Sequence, residues 1–338
     1  MRKKCTLLIF LILCLTTLKG QVLIDSVKES FENVTQLNVK GAFCKVDILA
    51  GTDNVVEFEG QIRAVRRHED IKIRYEQKGN VLSVWIDKPD NLPAQTKGFL
   101  AFTVPSSIKL QVETISGNIV TKDAGTSTVE LKSLSGAISA ENINGNLRVS
   151  TVSGGINAAR IIGNVESKTL SGSTSIEEVQ GELNVNSVSG KVKASSVLNG
   201  VIVKNTSGSV TADQVIGSID VKTVSGAINL QSIRGDINAT SSSGSISLDG
   251  VVGGLYLKSV SGRISGNDLV LTSNSQFHNT SGNIDLTLGT DLNMLSFNLT
   301  TTSGSLTVGN TRATRNLVVG DGEIVVTSRT TSGNQRFR

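Results

Sequence analysis

From residue 112 onward, apolar and polar residues alternate in short runs that return every 18 positions. The period is marked by a Ser-Gly pair. It stands at Ser135-Gly136, Ser153-Gly154, Ser171-Gly172, Ser189-Gly190, Ser207-Gly208, Ser225-Gly226, Ser243-Gly244 and Ser261-Gly262. Ser116-Gly117 precedes this series by 19 residues, and Ser281-Gly282 and Ser303-Gly304 follow at 20 and 22. We number positions within a rung from each of these glycines as zero. Apolar residues then fall at positions 2, 4 and 7 and again at 11, 13 and 16, as in Val210, Ala212, Val215, Ile219, Val221 and Val224. The second set is the first moved on by nine residues, and a second glycine often opens it. Strict alternation with β-branched residues and frequent glycine excludes helix and predicts two short strands per unit.

One such unit cannot bury its apolar face alone, so neighbours must stack. The reading is an all-β, single-stranded parallel β-helix, a β-solenoid of about 18 residues per rung. Positions 2, 4, 7, 11, 13 and 16 are all expected to face inward, and residue i is expected to lie over residue i+18. A left-handed hexapeptide helix has the wrong sub-period. A calcium β-roll lacks its Gly-Gly-x-Gly-x-Asp ligands, and a propeller needs a longer repeat. The lengthened spacings after Gly262 predict loops at 266–280 and 289–296.

Residues 22–110 lack the repeat but contain strand-like segments at 36–49, 55–62, 71–75, 81–85 and 100–104, together with most of the large aromatics. They predict a strand-rich N-terminal cap with first rungs over 21–110. Repeats then fill 111–310, and 311–338 form the other cap with a tail bearing Arg329, Arg336 and Arg338.

The first 20 residues read as a cleaved export signal. Arg2, Lys3 and Lys4 precede an apolar run from Thr6 to Leu18 that is too short to span a bilayer. A lipid anchor at Cys14 and an uncleaved anchor are the alternatives. This changes the charge picture. The whole chain has 33 basic and 29 acidic residues, and loss of Arg2, Lys3, Lys4 and Lys19 leaves 29 of each. A neutral mature chain excludes nucleic acid as an expected partner. Cys44 is then left without a disulfide partner and reads as a small buried hydrophobe.

The chemistry-bearing residues do not form a catalytic set. The two histidines, His68 and His278, lack metal-ligand spacing. No nucleophile elbow, phosphate loop or zinc motif occurs, so no catalytic residue, metal or cofactor is expected. Glu141, Glu177, Asp213 and Asp249 recur at position 5 on alternate rungs, roughly 9.6 Å apart at strand spacing. That is the far edge of the inverting-glycosidase range. A basic column at position 14 comprises Lys132, Lys168, Lys204, Lys222 and Lys258. It reads either as a solubilising stripe or as a weak site for polyanions such as acidic glycans. There is no aromatic between Val104 and Leu255, so any ligand is expected at the cap or near Tyr256, Phe277, His278 and Phe297.

The lead ending in Val104-Pro105-Ser106-Ser107, the array start from Val112 through Ser116-Gly117 to Ile119, and the Ser-Gly-x-Ile units resemble the bacterial putative-adhesin families. These include the auto-transporter adhesin head group with the GIN motif. The resemblance implies a right-handed β-helix exported to the periplasm, the outer membrane surface or the medium. It implies a non-enzymatic adhesin or envelope scaffold, with cell-surface glycans or envelope proteins as partners. An envelope sensor or assembly partner is the next reading, and a carbohydrate-active β-helix enzyme the third.

Overall fold

The computed structural model describes residues 21–92 and 95–338, so the expected export signal, with Cys5 and Cys14, lies outside the described residues. Those described form 33 strands and one short 3-10 helix, Leu292–Met294. They build two long, mostly parallel sheets facing each other across one apolar core. Each regular rung gives one strand to each sheet, as with Ile138–Ile143 and Asn146–Thr151. Pairing follows the repeat: Ile138 lies beside Ile156 and then Thr174, and Leu147 beside Val165 and then Leu183. The stacked β-solenoid is therefore as the sequence pattern predicts, with i over i+18.

One expectation about facing is corrected. Positions 2, 4, 7, 11 and 13 are buried, but position 16 is not. Leu134 is 50%, Leu170 51% and Val224 50% exposed. The cause is a left-handed residue at position 6. Asn142, Arg160, Glu178, Ser196, Gln214 and Ser232 all have φ between 54° and 57°. This kink lets positions 5 and 6 both face outward, which returns position 7 to the core. The second strand has no such kink, so ordinary alternation buries positions 11, 13 and 15 and turns 16 to solvent.

A non-glycine residue in that conformation costs about 1–2 kcal/mol. Gln214→Gly is therefore expected to raise stability by about 0.5–1 kcal/mol, after allowing for glycine's extra unfolded-chain entropy. A shift of the urea midpoint to higher concentration is the check. An unchanged or lower midpoint contradicts the strain argument.

Position 15 carries small polar residues, buried in a ladder: Thr114, Ser133, Thr151, Thr169, Ser187, Asn205, Thr223, Ser241 and Ser259. In several rungs this hydroxyl accepts from the glycine N–H three residues on. The distances are 2.7 Å for Ser133 with Gly136 and 2.8 Å for Ser241 with Gly244. In the rungs of Gly172, Gly190 and Gly208 the strands run longer, through Ser171, Ser189 and Ser207. There the N–H groups of Gly172 and Gly190 donate instead to Ser189 and Ser207 of the following rung. The glycine itself is demanded by close approach. A Cβ on Gly226 would overlap the carbonyl of Gly208, and one on Gly244 the carbonyl of Gly226.

At the N-terminal end, Gln36–Ala42 and Lys45–Gly51 form a rung stacked in parallel on Lys109–Thr114 and Ile119–Lys122. The expected single strand at 36–49 is thus split by a turn at Phe43-Cys44. Antiparallel pairings of Val22–Glu32, Val55–Ala64 and Lys97–Pro105 complete the cap. Phe58 and Phe102 stack inside it with centroids 4.7 Å apart. Cys44 is buried in the bend, and burial pushes its thiol pKa up to about 12.

The other end departs from chain order. Ser275–Ser281 does not pair with Leu295–Ser303. Both pair instead with Ile324–Ser332, which lies between them. In the facing sheet, Gln335–Phe337 lies between Ile284–Leu288 and Leu306–Val308. Residues 324–337 are thus an inserted rung and not the expected tail. The outer edge beyond 295–308 is closed by the antiparallel strands Thr311–Ala313 and Asn316–Val319. Of the two expected loops, 289–294 holds the 3-10 turn, while 266–280 is mostly strand.

Candidate interaction surface

The five predicted lysines do share one column. On the outer face of the second sheet, the register runs Lys132, Ser150, Lys168, Asn186, Lys204, Lys222, Thr240, Lys258 and His278. Arg329 follows His278 directly because of the inserted rung. The sequence reading missed this extension, since it rests on a pairing between residues 51 apart. It also missed a local signal. Glu130, Glu166 and Asp220 stand two residues before Lys132, Lys168 and Lys222 on the same strands. They pair with them at 2.5, 2.6 and 3.2 Å. The carboxyls of Glu130 and Glu166 sit below their ordinary pKa, chiefly through the hydrogen bonds from Lys132 and Lys168. Exposed pairs of this kind add little stability. No carboxylate lies within ion-pair distance of Lys204 or Lys258 among the described residues.

Beside this column runs a row of exposed aliphatics at position 16: Ile115, Leu134, Val152, Leu170, Val188, Val224 and Val260. Thr206 and Ser242 interrupt it. Between the two rows lies a shallow groove of about 690 Å³, walled by Lys168, Lys204 and Lys222 and by Leu170, Val188 and Val224.

The aromatic residues separate. Tyr256 is 39% exposed, and its ring centroid is 6.1 Å from that of His278. Phe277 and Phe297 are corrected to core residues, fully enclosed at 0% and 1% exposure. Both occupy inward strand positions, and the ring of Phe337 packs against each, at 5.7 and 5.5 Å.

His278 is held below the ordinary imidazole pKa of 6.5, first by partial burial and then by Arg329 and Lys258. Its folded pKa is below its unfolded one, so the unfolded chain takes up the proton first as pH falls. Stability is expected to decline from about pH 6.5 downward until the folded imidazole also protonates. His278→Gln should flatten that part of a stability-against-pH curve. An unchanged slope between pH 7 and 5 contradicts the assignment.

The acidic column is in register as well, with Ala159 between Glu141 and Glu177 and Gln231 between Asp213 and Asp249. Cations interleave it. Glu141 pairs with Arg160 and with Lys122, and Glu177 pairs with Lys193 at 2.9 Å. The result is a charge ladder across an open sheet face.

These features define a two-sheet β-solenoid whose outer columns carry exposed charged and apolar chemistry. Residues 177–335 match the family model described as Toastrack DUF4097. No curated protein matches the chain. Among solved structures, it is similar to a "putative cell adhesion protein" from Clostridium sporogenes, at 11% identity and a TM-score of 0.19, over 92% of this chain and 98% of that one. It is also similar to a "putative adhesin" from Bacteroides fragilis, at 12% identity and a TM-score of 0.27, over 93% of this chain and 100% of that one.

Proposed function

We propose that this chain is an exported, non-enzymatic β-solenoid of the Toastrack kind, working as an adhesin or envelope scaffold through its outer faces. The observation that carries the reading is the use made of each column. Inward positions are spent on stacking. Several of the hydroxyls buried at position 15 serve the corners, as Ser133 and Ser241 do for their glycine N–H groups. Among the described residues the outward columns run up the rod as stripes and ion-pair ladders, an arrangement suited to contact along its length. The family match begins at Glu177, but the 18-residue register and the corner bond run back to Gly136 and the parallel stacking continues, shifted by one residue, to Gly117, which supports extending the assignment over the whole repeat.

The partners fitting this reading are cell-surface glycans or envelope proteins, and the compartments are the periplasm, the outer membrane surface or the medium. Cell fractionation with protease added to intact cells tests it. The expected result is a chain beginning at Gln21 in the envelope or the medium. Full-length protein confined to the cytosol overturns it.

A further inference from the structure

The Ser-Gly corner and the two columns beside it form one edge of the rod, and its charge is lopsided. From Lys132 to Arg263, positions 14 through 18 and the residue after each glycine contain no Asp or Glu. The same positions carry the lysine column, Lys191 and Arg263. Glu130, Glu166 and Asp220 lie two residues before their lysines, on the side away from the corner. On the opposite edge, Glu178, Glu182 and Asp236 intersperse the exposed Ile162, Leu198 and Ile216.

From Leu134 to Val260 this edge also carries the longest row of exposed aliphatics, while at its N-terminal end Ile115 lies beside Glu113, which pairs with Lys132 at 3.7 Å. At roughly 4.8 Å per rung, Leu134 to Val260 span roughly 34 Å, each aliphatic two residues beyond its rung's lysine-column position. Leu134, Val152, Leu170 and Val188 stand half-exposed one above another, with Thr206 and Ser242 breaking the row beyond them, and exposed apolar strips of this kind mark docking surfaces.

We propose that this edge docks lengthwise on an anionic lipid leaflet. The aliphatic row enters the headgroup boundary, and the flanking lysines, with long flexible stems, reach lipid phosphates. A glycan leaves the aliphatic row unexplained, because sugars stack on aromatic rings and the strip has none. A second copy pressed ridge to ridge gains no charge complement, since the edge is acid-free. The inference rests on the exported reading only for access to a leaflet, and its test is independent of export.

The test uses the full chain with Trp85→Phe and one new tryptophan. Leu170→Trp reports the proposed edge and Leu198→Trp the opposite one. The probe is a vesicle of brominated phosphatidylglycerol and phosphatidylcholine in equal parts. Residues 1–20, basic and apolar, are common to both reporters, so the contrast between the two quenching values reports which edge faces the leaflet. The expected result is quenching of Leu170→Trp at least twofold stronger than of Leu198→Trp, lost on phosphatidylcholine alone and in 0.5 M salt. In the Leu170→Trp background, Lys191→Gln, Lys204→Gln and Lys258→Gln together should weaken vesicle binding by about 100-fold. Equal quenching at both sites overturns the proposal, as does none at Leu170→Trp. Capture by dextran sulfate without quenching makes the edge a polyanion site, and a dimer dissolved by Leu170→Asp with no vesicle response makes it a self-association surface. Either outcome also overturns it. Unchanged circular dichroism in each variant confirms folding.

Discussion

Gly226→Ala is expected to destabilise the protein by about 3 kcal/mol or more, while Ser225→Ala beside it stays within about 0.5 kcal/mol of the parent. The two residues recur equally strictly in the sequence, but their roles differ. A methyl group on Gly226 would meet the Gly208 carbonyl of the rung below, with the Thr223 hydroxyl 3.0 Å away. Both obstacles are tied down. Gly208 belongs to a backbone already paired across rungs, and the Thr223 hydroxyl accepts from the Gly226 N–H at 3.2 Å. Relief requires two rungs to move apart, which strains the parallel ladder on both sides. Ser225 points to solvent and leaves its side-chain position free to change. Urea midpoints of the two variants separate the roles. Equal losses would show that the serine, too, is structural.

Phe337→Ala is expected to cost about 3–5 kcal/mol, the full penalty of a truncated core aromatic. Phe337 is completely buried, although it lies on a three-residue strand. Its ring packs against Phe277 and Phe297, so aromatics from three neighbouring rungs stack through the core. Removal leaves a cavity whose walls are held by flanking strands and cannot collapse. Phe337→Leu should recover most of the loss, costing about 1.5 kcal/mol or less. Thermal melts of both variants decide. A fully stable Phe337→Ala would mean that the inserted rung contributes no packing.

Period, strand alternation and stacking register were legible in the sequence because they depend on residue type at fixed spacing. Leu147, Val165 and Leu183 lie where their spacing puts them. The facing of position 16 was not legible. It is decided at position 6, where Asn142, Arg160, Glu178 and Gln214 share a left-handed backbone but no chemical character. Val215 and Val224 occupy equivalent places in the nine-residue half-repeat, yet one is buried and the other half-exposed. The lysine column was legible for the same reason as the core. Its continuation through Arg329 was not. Ser332-Gly333 does announce another rung, but nothing in local spacing says that this rung belongs before the one at Ser303-Gly304. Phe277 and Phe297 sit where the spacing is irregular, and that irregularity marks the place where three rungs share a core, not exposure.

The inserted rung has a kinetic consequence. Ser275–Ser281 and Leu295–Ser303 follow one another closely in sequence, and both end in the same Ser-Gly corner. Nothing in their registers forbids direct pairing. Local pairing forms before distant pairing, because loop closure is faster over short separations. A folding chain that pairs them directly would form a near-native stack lacking one layer, and would have to open to admit residues 324–337. Refolding should show a slow phase reporting on Phe337 burial, separate from the fast formation of the regular rungs. Its rate is set by how often two correctly shaped but wrongly adjacent strands let go.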